Sequence, residues 1–97
     1  MCQNEFMALV IIDARSPAEY AMGHLRGAVN IDRHGPHLDE QLALLNPSDT
    51  YIVYCNGGHR AGQVRERLEN VGCHLADSYG IRGAQMATGL PIVADEL

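Results

Sequence analysis

The chain has 97 residues, 46% of them hydrophobic and 20% charged, which predicts one domain with a buried core over residues 1–97. Its formal net charge of −5 argues against nucleic acid or an anionic membrane as a partner. All basic residues are arginine, so Schiff-base chemistry through a lysine is excluded. We expect residues 1–6 and 94–97 to be flexible ends.

The three cysteines, Cys2, Cys55 and Cys73, are an odd number without C-x-x-C spacing. This pattern argues against a disulfide framework or a zinc ribbon. Cys73 lies in an apolar-leaning segment, where a small core residue is the expected role. The sequence therefore predicts neither a metal site nor a bound cofactor.

No apolar run approaches the roughly 20 residues of a membrane span, and the start lacks the basic region of a secretory signal. We therefore expect a cytoplasmic protein, or a periplasmic one if an export segment has been removed.

The first elements are a strand and a short helix. Residues 7–12 form a continuous apolar run, which is typical of a strand covered on both faces. Ser16, Pro17 and Glu19 then have the spacing of an N-cap, a first helical position and a capping box. Gly23 ends this helix.

Residues 28–31 predict a brief second strand, and Gly35-Pro36 opens a second helix. The expected buried stripe of this helix consists of Leu38, Leu42 and Leu45. Residues 46–49 turn the chain into a third strand that begins at Tyr51 and ends at Cys55.

A longer helical pattern opens at Arg60 and is expected to end with Gly72 at its C′ position. Its predicted buried face consists of Ala61, Val64, Leu68 and Val71. A fourth strand over residues 73–77, a turn at Tyr79-Gly80 and a last helix over 82–88 follow, ahead of an exposed tail after Pro91.

This alternation predicts an α/β domain with a mostly parallel sheet of four to five short strands, flanked by helices on both faces. Active sites of such sheets lie beyond the carboxyl ends of the strands. Because Asp13 and Cys55 both end strands, we expect them at the same edge of the sheet.

The segment after Cys55 predicts an anion site. A strand that passes through a glycine-bearing loop into a helix brings unpaired backbone N–H groups together, and these favour a thiolate. A buried structural cysteine before an ordinary turn is the alternative. The candidate site is Cys55 with its loop, Asn56, Gly57, Gly58, His59, Arg60 and Ala61, supported by Asp13 and Arg15.

Several side chains near this loop have two open roles. Arg15 can form an ion pair with a carboxylate such as Glu19, or point into the site. Arg60 can bind an anion through its guanidinium, or turn outward while only its N–H serves. His59 is either a general base or a solvent-facing side chain, and we favour the latter; His24 is expected to orient its neighbouring turn.

Three segments resemble the rhodanese (thiosulfate sulfurtransferase) domains. Residues 12–20, IDARSPAEY, are similar to the motif I-D-x-R-[ST]-x-x-E-[YF], and residues 23–31, GHLRGAVNI, to G-H-I-x-G-A-x-N-I. Residues 53–61, VYCNGGHRA, match the active-site pattern C-x-x-G-x-R. The loop is most similar to the small single-domain, phage-shock-protein-E type. Ala61 stands where the family often has serine, which bears on substrate preference.

The resemblance implies a sulfurtransferase that moves a sulfane sulfur from thiosulfate, or another small anionic donor, through a Cys55 persulfide. The acceptor would be cyanide or a thiol, a thiol protein included. A sulfur carrier or a binding module with little turnover is the alternative. A cysteine phosphatase or arsenate reductase fits less well, because Arg60 follows Cys55 by five residues instead of the usual six.

Overall fold

The computed structural model describes residues 8–94. The ends that we predict to be flexible, 1–6 and 94–97, lie outside the described residues, apart from Ala94. Strands and helices alternate along the chain. They are β1 (Leu9–Asp13), α1 (Pro17–Met22), β2 (His24–Leu25), β3 (Val29–Asn30), α2 (Leu38–Ala43), β4 (Thr50–Cys55), α3 (His59–Asn70), β5 (Ala76–Gly80), α4 (Ile81–Thr88) and β6 (Ile92–Val93).

The main sheet has four parallel strands in the order β3-β1-β4-β5. This order places β1 and β4 in the centre, which explains the continuous apolar run that leads through β1 to Asp13. The register pairs Asp13 with Tyr54, and Cys55 with Gly80. Asp13 and Cys55 therefore lie at the same carboxyl edge, and the predicted α/β architecture is confirmed.

Helices cover both faces of the sheet, as predicted. Alternate side chains of β4 point to opposite sides. Tyr51, Val53 and Cys55 join α2 and α3 in the larger apolar cluster. Tyr54 joins the smaller cluster on the other face, beside Ala84 of α4.

The prediction for the fourth strand was wrong in its bounds. β5 begins at Ala76, so Tyr79 and Gly80 lie in the strand instead of forming a turn. Cys73 precedes the strand, because its N–H donates to Leu68 O at 2.8 Å while Gly72, at φ +94°, closes α3. The N–H of Gly72 donates to Glu69 O at 3.1 Å, and the two bonds together form a Schellman motif that makes Cys73 part of the helix end. Its predicted burial is nevertheless confirmed, since Cys73 is 0% exposed.

Val71 was also misassigned. The sequence predicts that it is buried on α3, but it is 41% exposed. α3 ends at Asn70 and Val71 is the C-cap, with φ −100°. Val71 therefore lies past the end of the helix and does not continue the buried face formed by Ala61, Val64 and Leu68.

A second, two-stranded sheet was missed. β2 and β6 are antiparallel, with His24 opposite Val93 and Leu25 opposite Ile92. The segment after Pro91, predicted to be an exposed tail, therefore pairs with β2 through residue 93. Strands of two residues have no readable periodicity, so sequence patterns could not indicate them.

Among residues 8–94, no helix has the length and apolar character needed to cross a membrane.

Candidate active site

Cys55 ends β4 at the carboxyl edge of the sheet, and only 1% of the residue is exposed. Its Sγ accepts hydrogen bonds from two backbone N–H groups. Gly58 N lies at 3.0 Å and Ala61 N at 3.3 Å. The loop thus folds back over the sulfur, and a negative charge on Sγ would face two donors.

The two donors belong to the start of α3. Gly58 is the N-cap of the helix and Ala61 lies in its first turn. N–H groups of a first turn have no carbonyl partner within the helix, and they carry the positive end of its dipole. Cys55 lies beside the start of α3 because a connection of only three residues joins β4 to this helix.

Gly58 is required by the loop geometry, whereas Gly57 is not. Gly58 has φ +99°, which a side chain rarely adopts. A Cβ there would also lie 3.3 Å from Gly80 N. A Cβ at Gly57 would meet nothing within 4 Å. The sequence does not distinguish the two glycines, because the difference depends on the approach of β5 to the loop, which is a tertiary contact.

Arg60 directs its guanidinium to Glu19 of α1. Nη1 donates to Oε1 at 2.8 Å and Nη2 to Oε2 at 3.2 Å. This pairing is the main cause that raises the pKa of Arg60, and nearby Cys55 contributes less. The sequence left open whether the Arg60 guanidinium binds an anion or turns outward. In the structure, the guanidinium contacts a protein carboxylate.

Glu19 is a site residue that the sequence patterns did not identify. It completes the predicted capping box by accepting from Ser16 N at 3.0 Å. Its Oε2 also accepts from Asn56 Nδ2 at 3.0 Å. The Arg60 guanidinium, and then the Ser16 N–H, lower the pKa of Glu19 to about 2. The position of Glu19 in the first motif could have indicated a role in the site, but the capping box already explained why a glutamate occurs there.

Arg15 pairs with Asp13 and not with Glu19, the carboxylate suggested from sequence. Its Nε and Nη2 contact the Asp13 carboxylate at 2.8–3.1 Å, and Asp13 is fully buried. This pair raises the pKa of Arg15. Arg15 Nη1 also donates to Asn56 Oδ1 at 3.2 Å. Arg15 thus connects the end of β1 to the first residue after Cys55.

The two histidines differ in environment. His59 is exposed at the start of α3, with Nε2 3.5 Å from Gln63 Nε2. His24 is buried, its ring stacks on Tyr20 at 3.7 Å between centroids, and Nδ1 lies 2.8 Å from Tyr20 O. His24 therefore joins β2 to α1 across the turn at Gly23, in line with its predicted role of orienting the neighbouring turn.

Tyr54, next to Cys55 in β4, packs on the opposite face of the sheet and holds β2 there. Its hydroxyl accepts from Leu25 N at 2.9 Å, and burial raises its pKa well above the ordinary value. Within residues 8–94, no three or more histidine, cysteine or acidic side chains are grouped closely enough to hold a metal ion.

A family model described as a rhodanese-like domain matches residues 2–84. The chain belongs to the rhodanese-like family. The resemblance inferred from the three motifs is thereby confirmed, and the parallel sheet with helices on both faces is the fold that this membership implies.

Several relatives have names that refer to sulfur transfer. The chain is 36% identical to thiosulfate sulfurtransferase PspE of Escherichia coli, over 77% of this chain and 73% of the relative. It is 31% identical to thiosulfate sulfurtransferase GlpE of Stutzerimonas stutzeri, over 76% and 64%. A solved structure described as a rhodanese with anions from E. coli matches with a TM-score of 0.72 and 31% identity, over 91% of this chain and all of the other.

A relative of different activity is also similar. The chain is 32% identical to a tRNA uridine(34) hydroxylase of Aster yellows witches'-broom phytoplasma, over 84% of this chain but only 27% of the relative. The rhodanese-like family supports sulfurtransferase activity in general, and these names do not identify one substrate.

Proposed function

We propose that this protein is a sulfurtransferase that takes a sulfane sulfur from thiosulfate or a related donor and carries it as a persulfide on Cys55. The observation that supports this most directly is the pair of N–H donors, from Gly58 and Ala61, on the Cys55 sulfur. Such donors stabilise an anionic sulfur both before and after it is loaded.

In the first half-reaction, the Cys55 thiolate attacks the outer sulfur of thiosulfate. A new S–S bond forms to Sγ, the S–S bond of the donor breaks, and sulfite leaves with the electron pair. Cys55 then carries a persulfide with its negative charge on the terminal sulfur.

In the second half-reaction, a nucleophilic acceptor attacks the terminal sulfur. Cyanide would leave as thiocyanate, and a thiolate would leave as a persulfide, with the electron pair of the broken bond returning to Sγ. This step regenerates the Cys55 thiolate, and the same two N–H groups donate hydrogen bonds to it. A small thiol and the thiol of a protein are both chemically competent acceptors.

The geometry favours sulfur over phosphate as the group transferred. Only 1% of Cys55 is exposed, so a slim terminal sulfur reaches Sγ more readily than a tetrahedral phosphoryl group. The guanidinium of Arg60, which a phosphatase would use to hold phosphate, is engaged by Glu19. Hydrolysis of p-nitrophenyl phosphate that disappears in Cys55→Ser would contradict this interpretation.

The proposal is tested by intact mass after incubation with thiosulfate. Wild type should gain one sulfur, about 32 Da, and Cys55→Ser should gain none. Cys73→Ser is the matched control, since Cys73 is buried on the same face but receives no donor from the loop; it should load like wild type.

The acceptor step is tested by adding cyanide to the loaded protein. Loss of the added mass with stoichiometric thiocyanate would support an enzyme. A persulfide that resists cyanide and small thiols but passes to a protein thiol would instead indicate a sulfur carrier. Failure of both thiosulfate and an organic persulfide to load Cys55 would refute the proposed function.

A further inference from the structure

The charged groups around Cys55 form two pairs. Arg15 contacts Asp13 and Arg60 contacts Glu19, each through two nitrogens. The guanidinium that contacts Asn56 of the loop and the one that Arg60 carries are therefore each matched by a carboxylate. A thiolate on Cys55 would leave this neighbourhood with one net negative charge.

This balance bears on the charge of the donor. Thiosulfate is a dianion, and one of its charges remains on the sulfonate oxygens while Sγ attacks the outer sulfur. A guanidinium that is free near Sγ would stabilise this second charge, whereas a guanidinium paired with a carboxylate contributes little. A donor with a single charge on its terminal sulfur needs no such partner.

The two pairs differ in how firmly they are held. The side chains of Asp13 and Arg15 are 0% and 8% exposed, so this pair belongs to the core. The side chains of Glu19 and Arg60 are 33% and 25% exposed, at the surface beside the loop. Removing the charge of Glu19 would leave Arg60 free to turn towards an arriving anion.

We propose that Glu19 is a specificity-determining residue, which selects singly charged sulfane-sulfur donors over dianionic thiosulfate by keeping Arg60 paired. The inference rests on the proposed function, because it concerns the first half-reaction at Cys55. The donor class that follows is an organic persulfide or thiosulfonate with one negative charge at the transferred sulfur.

Glu19 also positions the loop, and the test must separate the two roles. Its carboxylate holds the first side chain of the loop, Asn56, and the guanidinium of Arg60 near its end. A loosened loop would slow every donor alike, because all donors react with the same Sγ. A change in charge selectivity would alter the ratio between donors of different charge.

The experiment compares thiosulfate with methanethiosulfonate, in which a methyl group replaces one charged oxygen while the reacting S–S bond is kept. For both donors, kcat/KM is measured with cyanide as acceptor, in wild type, Glu19→Gln, Arg60→Gln and the double variant. The quantity of interest is the ratio of kcat/KM for thiosulfate to that for methanethiosulfonate.

In Glu19→Gln we expect this ratio to rise about tenfold, because one freed unit charge acts on the extra charge of thiosulfate. In Arg60→Gln it should fall several-fold, since Glu19 is left unpaired. The double variant should return to within about twofold of wild type. The rise in Glu19→Gln should shrink at high salt, as expected for a partly exposed charge.

Glu69→Gln is the matched control. It removes a carboxylate at the far end of α3, about 15 Å from the start of the helix, and should leave the ratio unchanged. Should Glu19→Gln fail to fold, Arg60→Gln leaves the capping box intact and tests the same pair.

Two failures can be told apart. If neither donor loads Cys55 in wild type, the proposed function is wrong, and this inference fails with it. If both donors load Cys55 but the ratio stays the same in Glu19→Gln and Arg60→Gln, the specificity role of Glu19 is refuted while the sulfurtransferase function stands.

Discussion

Hydrogen bonding distinguishes the two buried cysteines of the described chain. Cys55 and Cys73 belong to the same apolar cluster, and each is at most 1% exposed. The Sγ of Cys55 accepts from two backbone N–H groups, whereas burial raises the pKa of Cys73. The neutral thiol is therefore favoured at Cys73, and a neutral thiol is a weak nucleophile.

We expect iodoacetamide to leave Cys73 unlabelled in the native protein, because the residue is 0% exposed and its thiol is kept neutral. Peptide mapping by mass spectrometry identifies the labelled position. Labelling in urea is the control and should modify Cys73 fully. Rapid native labelling of Cys73 would mean that the end of α3 opens.

Gly58→Ala should impair the loop itself. The positive φ costs a non-glycine residue about 1–2 kcal/mol, and the added Cβ approaches Gly80 N at 3.3 Å. Because Gly58 N–H is one of the two donors to Sγ, we expect persulfide formation from thiosulfate to slow on the order of a hundredfold, measured by timed intact mass.

Gly62→Ala is the matched control for Gly58→Ala. Gly62 lies within α3, and a Cβ there would meet nothing within 4 Å. Alanine in a helix interior should raise the free energy of unfolding by about 0.5–1 kcal/mol without slowing sulfur loading. Equal effects of the two substitutions on loading would contradict the role assigned to the Gly58 conformation.

At the scale of elements, α1 depends on its cap. The helix has six residues, too few to be stable by itself, and its capping box joins Ser16 and Glu19 in both directions. The same Glu19 holds Arg60 of α3 and Asn56 of the loop. One short helix therefore positions two parts of the candidate site.

Ser16→Ala should lower the free energy of unfolding by about 1 kcal/mol, because an N-terminal N–H of α1 loses its acceptor. For a domain of this size, that loss corresponds to roughly 4–8 °C in Tm, measured by circular dichroism. Ser48→Ala, at an exposed turn, should change Tm little. If Ser16→Ala and Ser48→Ala had the same Tm, the cap would not stabilise α1.

At the scale of the whole molecule, a chain of polar contacts joins elements that are distant in sequence. It runs from Asp13 through Arg15 to Asn56, and from there through Glu19 to Arg60. The contacts connect β1, α1, the loop and the start of α3. The geometry of the Cys55 loop is thus coupled to the packing of β1, α1 and α3.

Acid should weaken this coupling through Glu19. Its pKa is about 2 in the folded protein against an ordinary 4.5, so folding favours the ionised form. The contribution of Glu19 to stability is therefore complete above about pH 4.5 and is lost as the pH falls towards 2. We expect the difference in unfolding free energy between wild type and Glu19→Gln to shrink over this range in urea titrations.

The pH series has its own control. Glu69→Gln removes a more exposed carboxylate that contacts His74 at the surface, and should show a smaller difference from wild type at neutral pH. A Glu19→Gln difference that stays constant from pH 7 to pH 2 would show that its effect on stability is not electrostatic.

The sequence by itself determined those features that depend on near neighbours. The capping box at Ser16, the helix end at Gly72 and the position of Cys55 between a strand and a helix follow from residues a few positions apart. Burial on both faces of β1 follows from its continuous apolar run. These local rules were sufficient for the α/β architecture and for the candidate nucleophile.

Only the tertiary structure decided the contacts between distant residues. Glu19 meets Arg60 across 41 positions and Asn56 across 37, and no periodicity encodes such a pairing. The same limit explains the missed pairing of β2 with β6, whose strands have two residues each. The sequence supplied the charged side chains, but which carboxylate each arginine contacts depends on how the helices pack at the edge of the sheet.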